Sequence, residues 1–463
     1  MERILFLTGR LAKKSLESVL AGIAPAAFDW EVQDIGIQVA GLMTADMIRR
    51  RVPRPERIDR ILVPGRCRGD LATLSSDYGL PIERGPDDLK DIPAHFQRSA
   101  GQTDLSARDI DIFAEIVDAP DLDVDAILER ALRYRRDGAD VIDLGCLPQT
   151  PFTHLEDAIR RLKDEGFRVS VDSLDTEELL RGGRAGADYL LSLSIDTLWI
   201  ADEVASTPVL IPREPTDEAS LYEAIDALSR RERAFLADSI LDPLPFGLTS
   251  AVARYERLRK RFPGAPIFIG IGNVTELTEA DTSGMNALLL GIATELRAAA
   301  VLTTEVSGHA RHAIREADVA RRIMYAAREQ QSLASGFSPA LMTVHDKRPF
   351  PDTPEEIENT ARMIRDPSYR IQVSAQGVHL YNRDGHHIAD GAFALFPHIA
   401  TGGDTGHAFY LGVELARAEM AWRLGKRYVQ DEPLDWGCAA ERENEDLTSW
   451  HAAGPTTKQA RKP

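Results

Sequence analysis

Eight short apolar runs alternate with helical segments between residues 111 and 331, and this alternation constrains the fold more strongly than any other feature. After the first run, apolar residues recur at helical spacing from Val124 to Leu132, and Gly138 stands where a helix C-cap is expected. Eight strands alternating with helices over about 220 residues are typical of a closed (β/α)₈ barrel. An open doubly wound sheet is the alternative, but a barrel accommodates eight parallel strands in this length better. The runs are IFAEIVDA (112–119), ADVIDLG (139–145), FRVSVDS (167–173), ADYLLSLS (187–194), TPVLIP (207–212), FLADSILD (235–242), PIFIGIG (266–272) and AAVLTTE (299–305).

Residues 1–96 predict a small α/β domain in front of the barrel. Apolar strand runs at 4–9, 57–65 and 80–86 are separated by polar segments with helical spacing. Glycines follow these runs, but the sequences around them match neither a P-loop nor a dinucleotide-binding fingerprint. We interpret these glycines as turn residues.

Composition sets the remaining boundaries. The polar segment 97–110 has no periodicity and predicts a linker, which places the barrel at 111–335. Residues 338–440 predict a small α+β domain. The segment 441–463 is charged and poor in apolar residues, which is typical of a loose tail.

The third domain carries one glycine-rich motif, TGGDTGHAFYLG (401–412), in front of a long helical pattern. This stretch either binds an anion at the helix N-terminus or forms a close-packed turn, and Asp404 and His407 make it more than a plain loop. His386 and His387 are expected to be exposed. The other elements expected here are a strand, a helix, a hairpin and its tight turn, at 341–346, 353–366, 369–390 and 382–385.

The composition argues against several functions. Asp and Glu number 73 against 55 Lys and Arg, a formal net charge of −18, so we expect no nucleic-acid or membrane partner. The three cysteines are far apart and show no CxxC spacing, which indicates neither a disulfide framework nor a cysteine-rich zinc site. The start of the chain lacks a signal-peptide pattern, and no apolar run reaches the roughly 20 residues of a membrane span. We therefore expect a cytoplasmic protein.

Polar side chains, most of them acidic, stand at the predicted carboxyl ends of the barrel strands, where barrels of this type carry their chemistry. Asp143 and Asp172 interrupt apolar runs just before the strands end, and a carboxylate there is costly unless a ligand satisfies it. The alternative is that these residues are helix N-caps, a position that Asp favours. The set comprises Asp118, Asp143, Asp172, Ser192, Ser194, Asp196, Asp242, Asn273 and Glu305.

A neutral heterocycle with donor edges would suit several carboxylates and one amide. The amino group and ring N–H of a pterin are adjacent donors, which one Asp can accept as a charge-assisted pair. A metal ion is the alternative, but these residues form no compact oxygen-ligand motif in the sequence.

Four segments resemble the pterin-binding barrel family, which includes dihydropteroate synthase and the methyltetrahydrofolate methyltransferases. They are GADVIDLG (138–145), VSVDS (169–173), SILDP (239–243) and GIGNVTELTEADTSGMNALLLGIATEL (270–296). The last segment, with AEIVDAP (114–120) and LTTEVSGHARHA (302–313), resembles a narrower group. That group is the dihydropteroate synthase-related proteins of tetrahydromethanopterin biosynthesis, found in methanogenic archaea and methylotrophic bacteria.

The resemblance implies pterin-binding roles at individual positions. Asp242 matches the family's acceptor for the pterin edge, and Asp172 matches the third-strand Asp that contacts the pterin. Asp143 matches the motif position whose following loop shapes the site. Asn273 matches the Asn of the methyltransferases' seventh-strand motif. Either Ser192 or Ser194 lies where a pterin-contacting Asn is usual.

The resemblance also implies where a metal and the diphosphate lie. Asp118 occupies the region in which the synthases place an Asn that meets magnesium and the diphosphate, so Mg²⁺ is a possible cofactor. The synthases' seventh-strand Lys is absent, and Cys146 replaces a Gly in the loop after the second strand. The usual cationic motif of the eighth strand is also absent, but GHARH supplies His309, Arg311 and His312 just beyond it. These three are expected to bind an anion; the alternative is an ordinary basic helix start.

Three functions remain open from the sequence. The first is a transferase that joins a 6-hydroxymethyl-dihydropterin diphosphate to an arylamine, ribofuranosyl-aminobenzene phosphate, in tetrahydromethanopterin assembly. The second is a reduced-pterin methyltransferase, which Asn273 favours. It would need a separate corrinoid protein, because the chain has no DxHxxG-type loop. The third is a pterin-binding protein without catalysis. In each case we expect a homodimer with small-molecule ligands.

Overall fold

The computed structural model describes residues 2–23, 28–99, 104–148 and 150–441. It divides into two compact units. One unit combines the described parts of 1–103 with 348–434, and the other comprises 104–347 together with 435–441. The predicted tail at 441–463 lies, after its first residue, outside the described residues. No helix among the described residues has the length and apolarity needed to cross a bilayer.

Within the barrel, strands and helices follow one another in the order that the sequence pattern indicates. The strands are β1 (Glu2–Thr8), β2 (Phe28–Asp34), β3 (Arg60–Val63), β4 (Ile82–Arg84), β5 (Asp111–Ile116), β6 (Val141–Gly145), β7 (Arg168–Asp172), β8 (Tyr189–Leu193), β9 (Thr207–Leu210), β10 (Leu236–Ala237), β11 (Phe268–Gly270), β12 (Ala300–Thr304), β13 (Arg370–Ser374), β14 (Gly377–Asn382) and β15 (Gly385–Ala389). The helices are α1 (Lys13–Ala21), α2 (Ala45–Arg51), α3 (Leu71–Tyr78), α4 (Ile92–Ser99), α5 (Val124–Asp137), α6 (Leu155–Asp164), α7 (Thr176–Arg184), α8 (Ile200–Glu203), α9 (Glu218–Arg230), α10 (Leu248–Arg261), α11 (Gly272–Thr275), α12 (Thr282–Glu295), α13 (Ala313–Glu329), α14 (Pro354–Met363), α15 (Ala392–Leu395) and α16 (Thr405–Leu424).

The predicted (β/α)₈ barrel is confirmed. Strands β5 to β10 pair in parallel in chain order, and β12 pairs with both β5 and β11. The remaining gap, between β10 and β11, is closed by a parallel bridge of Ala237 with Ile267, where the Ala237 N–H donates to the Pro266 carbonyl at 2.9 Å. The first barrel helix, α5, begins after Asp123 and ends at Gly138, whose φ of 111° suits a glycine C-cap.

The interior of the barrel is filled by apolar side chains below its carboxyl end. Phe113 stands at the centre, with its ring centroid 4.9 Å from that of Tyr189 and 5.1 Å from that of Phe268. Val141 and Leu191 belong to the same buried cluster. The barrel is therefore a packed core, and a ligand can enter only above this layer.

One buried arginine joins α13 to the amino ends of the first two barrel strands. Arg321 is 1% exposed and donates to the Ile110 carbonyl at 2.6 Å and to the Gly138 carbonyl at 2.8 Å. It also pairs with Asp140 and with Asp318. These contacts tie the last helix of the barrel to its first strands.

The other unit contains two sheets. A parallel sheet of order β2-β1-β3-β4 has buried side chains on both faces, as the alternation of Ile4 and Leu5 between two apolar clusters shows. An antiparallel sheet of β13, β14 and β15 packs against α16. Its hairpin turns where the sequence predicts, with Asn382 opposite Gly385.

Several local predictions are wrong. The strand expected at 341–346 is not formed. The strand β2 was not expected, because FDWEVQD carries three acidic residues; it pairs only with β1, at the sheet edge. His386 and His387 are half-buried rather than exposed, since the His386 Nε2 lies 2.9 Å from His379 Nδ1 and the ring of His387 stacks on His398.

In the glycine-rich stretch at 401–412, Asp404 caps α16 by accepting from the His407 N–H at 3.0 Å. Capping is the contact that an Asp at the start of a helix usually makes, and anion binding by this stretch stays a prediction.

Candidate functional site

Three acidic side chains meet at the carboxyl ends of the first three barrel strands. Glu115 on β5 lies opposite Asp143 on β6, and Asp172 on β7 lies opposite Gly145, two residues beyond Asp143. One carboxylate oxygen from each of the three acidic residues lies within 4.8 Å of the other two. We call Glu115, Asp143 and Asp172 the carboxylate cluster.

Asp143 is the most deeply buried member of the carboxylate cluster. Its side chain is inaccessible to solvent, and neither carboxylate oxygen lies in hydrogen-bond geometry with a donor among the described residues; the nearby Ser170 hydroxyl donates instead to the Ile142 carbonyl at 3.5 Å. Burial, and then the neighbouring charges of Asp172 and Glu115, hold its pKa well above the usual range. A buried acceptor of this kind needs a proton, a donor or a cation.

The other two members of the cluster share this electrostatic environment. Burial raises the pKa of Glu115 to about 7, and the charges of Asp172 and Glu276 add to the effect. Burial also raises the pKa of Asp172 to about 7, with a further contribution from Asp238. Near neutral pH, Glu115 and Asp172 are therefore close to half-protonated, and a donor or a cation bound beside them favours their charged forms.

A fourth carboxylate, the half-buried Asp238, follows β10. It accepts from the Tyr255 hydroxyl and, at 2.7 Å, from the Ile240 N–H. Burial raises its pKa to about 6 although both hydrogen bonds favour the charged form. The charge of Asp238 raises the pKa of Asp172, so the acidic region at the carboxyl end of the barrel, called the mouth below, extends from β7 to β10.

Sequence reasoning did not select Glu115 or Asp238, although a signal for both was present. Glu115 interrupts the run IFAEIVDA and Asp238 interrupts FLADSILD, as Asp143 and Asp172 interrupt theirs. Applied to every strand, the rule that an acidic residue inside an apolar run faces a ligand would have found all four.

Asp242 lies in the loop beyond β10, and Asn273 lies in the short helix α11 beyond β11. Asp242 accepts from Arg254 at 2.8 Å, and this arginine, 4% exposed, also donates to the Ile240 carbonyl at 2.8 Å. The Asn273 side chain donates to the Leu241 carbonyl at 2.9 Å. The buried Arg254 guanidinium therefore holds the Asp242 carboxylate in place. The hydrogen bond from the Asn273 amide joins α11 to the loop after β10.

The remaining acidic candidates make structural contacts. Asp118 pairs with Arg130 and does not belong to the carboxylate cluster. Glu305 accepts from Arg133 at 2.7 Å, and burial raises its pKa to about 7.

The two serines after β8 differ in their surroundings. The Ser194 hydroxyl accepts from the Asp196 N–H at 3.3 Å and thereby stabilises the turn after β8. Ser192, at the same strand end, is half-buried.

The predicted anion-binding residues lie together at a second place on the barrel unit. His309, Arg311 and His312 line a cavity of about 230 Å³ beside the first residues of α12. Arg311 Nε lies 3.4 Å from His312 Nε2, and one His309 ring nitrogen lies 3.0 Å from the Thr275 carbonyl. Burial, and then the charges of Arg315 and Arg311, lower the pKa of His312, so its ring is neutral near pH 7. Two acidic residues, Asp281 and Glu316, line the same cavity.

The thiol of Cys146, next to the cluster, is not an activated nucleophile. Burial raises its pKa, and the carboxylate of Glu178 adds to this effect. It therefore stays protonated at neutral pH.

The fold and the mouth together define a (β/α)₈-barrel protein with an acidic cluster at the carboxyl end of its strands. Residues 2–87, outside the barrel, match a family of unknown function (DUF6513). An uncharacterized protein of Methanocaldococcus jannaschii is 26% identical, over 93% of this chain and 98% of that protein.

The solved structures with a similar fold include dihydropteroate synthases. The enzyme of Yersinia pestis with a pterine-sulfa conjugate is 17% identical, covers 49% of this chain and 96% of its own, and has a TM-score of 0.38. The 7,8-dihydropteroate synthase of Vibrio fischeri is 17% identical, covers 49% of this chain and 95% of its own, and has a TM-score of 0.37. The Anaplasma phagocytophilum enzyme with bound 6-hydroxymethylpterin-monophosphate is 17% identical, covers 47% of this chain and 98% of its own, and has a TM-score of 0.37.

Proposed function

We propose that this chain binds a reduced pterin at the carboxyl end of the barrel and is a transferase of the dihydropteroate synthase type. The observation that carries the proposal is the pair of half-buried carboxylates Asp172 and Asp238, which stand at the carboxyl ends of β7 and β10. A pterin presents adjacent N–H donors to such acceptors and acceptors to their protonated forms. The sequence segments at 138–145, 169–173, 239–243 and 270–296 give independent support.

The reaction would break the carbon–oxygen bond between the pterin methylene and diphosphate. The diphosphate leaves with the electron pair, the arylamine nitrogen forms the new bond to the methylene carbon, and this nitrogen then loses a proton. The protein supplies positioning and charge stabilisation for this step, and we assign no general base. Ribofuranosyl-aminobenzene phosphate as the arylamine, and tetrahydromethanopterin as the pathway, rest on the sequence resemblance alone.

A methyl transfer from a reduced pterin is the second candidate. Asn273 favours it, since this residue matches the methyltransferases and the synthases' seventh-strand Lys is absent. The two functions differ in their products, because only the synthase releases diphosphate.

The deciding experiment incubates the full chain with 6-hydroxymethyl-dihydropterin diphosphate and either p-aminobenzoate or ribofuranosyl-aminobenzene phosphate. We expect diphosphate release that depends on the arylamine. Pterin binding without release from either mixture would contradict the synthase and leave the methyltransferase or a non-catalytic binding protein.

Asp242→Asn should weaken pterin binding by about ten- to a hundredfold, because an amide replaces one acceptor oxygen with a donor and a charged hydrogen bond is worth roughly 1.5–3 kcal/mol. Calorimetric titration with a dihydropterin measures the change. Asp196→Asn is the matched control, since Asp196 is also paired with an arginine, Arg213, but is exposed. Equal affinities of the two variants would remove Asp242 from the site.

Arg311→Ala should raise the half-saturating concentration of the diphosphate substrate and leave the affinity for a plain dihydropterin unchanged. Arg311 lines the cavity beside α12 and offers a fork of donors to an anion. Arg231→Ala removes an exposed, ion-paired arginine elsewhere on the barrel and is the control. An equal loss for both ligands, or no loss for either, would place the anion site elsewhere.

A further inference from the structure

We propose that the carboxylate cluster is a binding site for a divalent cation of the Mg²⁺ and Mn²⁺ class, with Glu115, Asp143 and Asp172 as ligands. Two independent observations point to a ligand there. One oxygen from each carboxylate lies within 4.8 Å of the others. Asp143 is completely buried, and neither of its carboxylate oxygens has a hydrogen-bond partner among the described residues.

The three carboxylates of the cluster do not belong to an ion-pair network among the described residues. Among the residues that the structure describes, no Lys, Arg or His lies within ion-pairing distance of Glu115, Asp143 or Asp172. The nearby acidic side chains Glu276 and Asp238 add negative charge. Burial of several like charges without a counter-charge is strongly unfavourable, so the folded chain benefits from any cation that fits.

The spacing and the ligand type define the cation. Carboxylate oxygens on opposite sides of Mg²⁺ lie ~4.2 Å apart, from a metal–oxygen distance of about 2.1 Å, and those around Ca²⁺ lie somewhat farther apart. Three oxygens within 4.8 Å of one another can therefore surround such an ion with small side-chain movements. An all-oxygen set suits Mg²⁺, Mn²⁺ and Ca²⁺ rather than zinc or copper.

The strands that carry the cluster hold its three carboxylates in fixed relative positions. Its members stand on three adjacent parallel strands, with Glu115 and Asp143 in direct register. Sites on strands hold their ligands more rigidly than sites on loops. Each carboxylate contributes one oxygen, so the second oxygen of Asp172 stays available to a pterin N–H. The three ligands also leave coordination positions for water or for an oxygen of a phosphate group.

The carboxylate cluster takes the place of Asp118, the metal ligand expected from the family resemblance. Asp118 is engaged by Arg130, whereas the cluster lacks such a partner. Coordination of the substrate's diphosphate by the bound ion is a consequence that rests on the proposed function; cation binding itself does not.

The test is a titration of the full chain with MnCl₂ at pH 8, in which electron paramagnetic resonance measures free Mn²⁺. We expect one saturable site for which MgCl₂ competes. Asp143→Asn should weaken Mn²⁺ binding by at least about tenfold, and Asp118→Asn, the matched control, should bind as the wild type does. Glu115→Gln is the second cluster variant, used if Asp143→Asn does not give the wild-type circular dichroism spectrum.

Three results would overturn the site: no saturable binding by the wild type, wild-type affinity in a folded cluster variant, or a loss confined to Asp118→Asn. The two proposals fail separately. A protein that binds Mn²⁺ but releases no diphosphate keeps the cation site and loses the synthase. A protein that releases diphosphate equally well in EDTA and binds no Mn²⁺ keeps the synthase and loses the cation site.

Discussion

Asp143→Asn should stabilise the cation-free protein at pH 8 by about 2–4 kcal/mol in the free energy of unfolding. The substitution keeps the shape of a fully buried side chain and removes its charge from the carboxylate cluster. The new amide can also donate to Glu115 or Asp172. Most substitutions of buried polar residues destabilise a protein. A gain in the free energy of unfolding here would therefore show that Asp143 lowers stability and serves ligand binding instead.

The effect should depend on pH with a definite sign. The folded-state pKa values of Glu115 and Asp172, about 7, exceed their usual values of 4.5 and 3.8. Between about pH 4 and pH 7 the folded protein therefore holds protons that the unfolded chain has released, and stability falls as the pH rises through this range. In EDTA the wild type should lose more stability from pH 5 to pH 8 than Asp143→Asn does.

Urea unfolding at pH 5 and pH 8, followed by circular dichroism, measures both quantities. Asp118→Asn is the control, because it removes a carboxylate that is paired with Arg130 and should give no gain at either pH. The same pH dependence in the wild type and in Asp143→Asn would show that the cluster is not the source.

Arg321→Met should destabilise the barrel unit by about 3–5 kcal/mol. Methionine fills part of the volume but leaves the carbonyls of Ile110 and Gly138 without their donor. Asp140 and Asp318 also lose a partner, although each keeps a second arginine. The same urea titration measures the loss.

Arg231→Met is the comparison for this prediction. Its ion pair with Asp202 is exposed, and exposed pairs contribute about 0–1 kcal/mol. A loss at Arg321 no larger than that at Arg231 would show that the buried contacts do not hold α13 to the first strands.

Most of the barrel was predictable because its signal is repeated. Each strand run is buried on both sides and each helix carries one apolar face, so eight copies of the pattern reinforce one another. Single elements without such repetition were less predictable. The segment 341–346 contains apolar residues but forms no strand. Strand β2 contains three acidic residues and is nevertheless formed, since it lies at the sheet edge and pairs with β1.

The site was predictable where residue chemistry contradicted its surroundings. Asp143 and Asp172 stood out as acidic residues inside apolar runs, and the structure brings them together. Glu115 and Asp238 carry the same signal, but the family motifs directed attention to Asp118. Which carboxylates meet depends on strand register, and register follows from three-dimensional packing that one sequence does not display.

We propose that a reduced pterin binds between the carboxyl ends of β7 and β10. A crystal structure of the full chain grown with 6-hydroxymethyl-dihydropterin diphosphate tests this most directly. We expect the pterin ring above the apolar layer around Phe113, with its N–H donors within hydrogen-bond distance of Asp172 or Asp238. A pterin bound elsewhere on the chain, or a mouth without pterin in crystals saturated with it, would contradict the account.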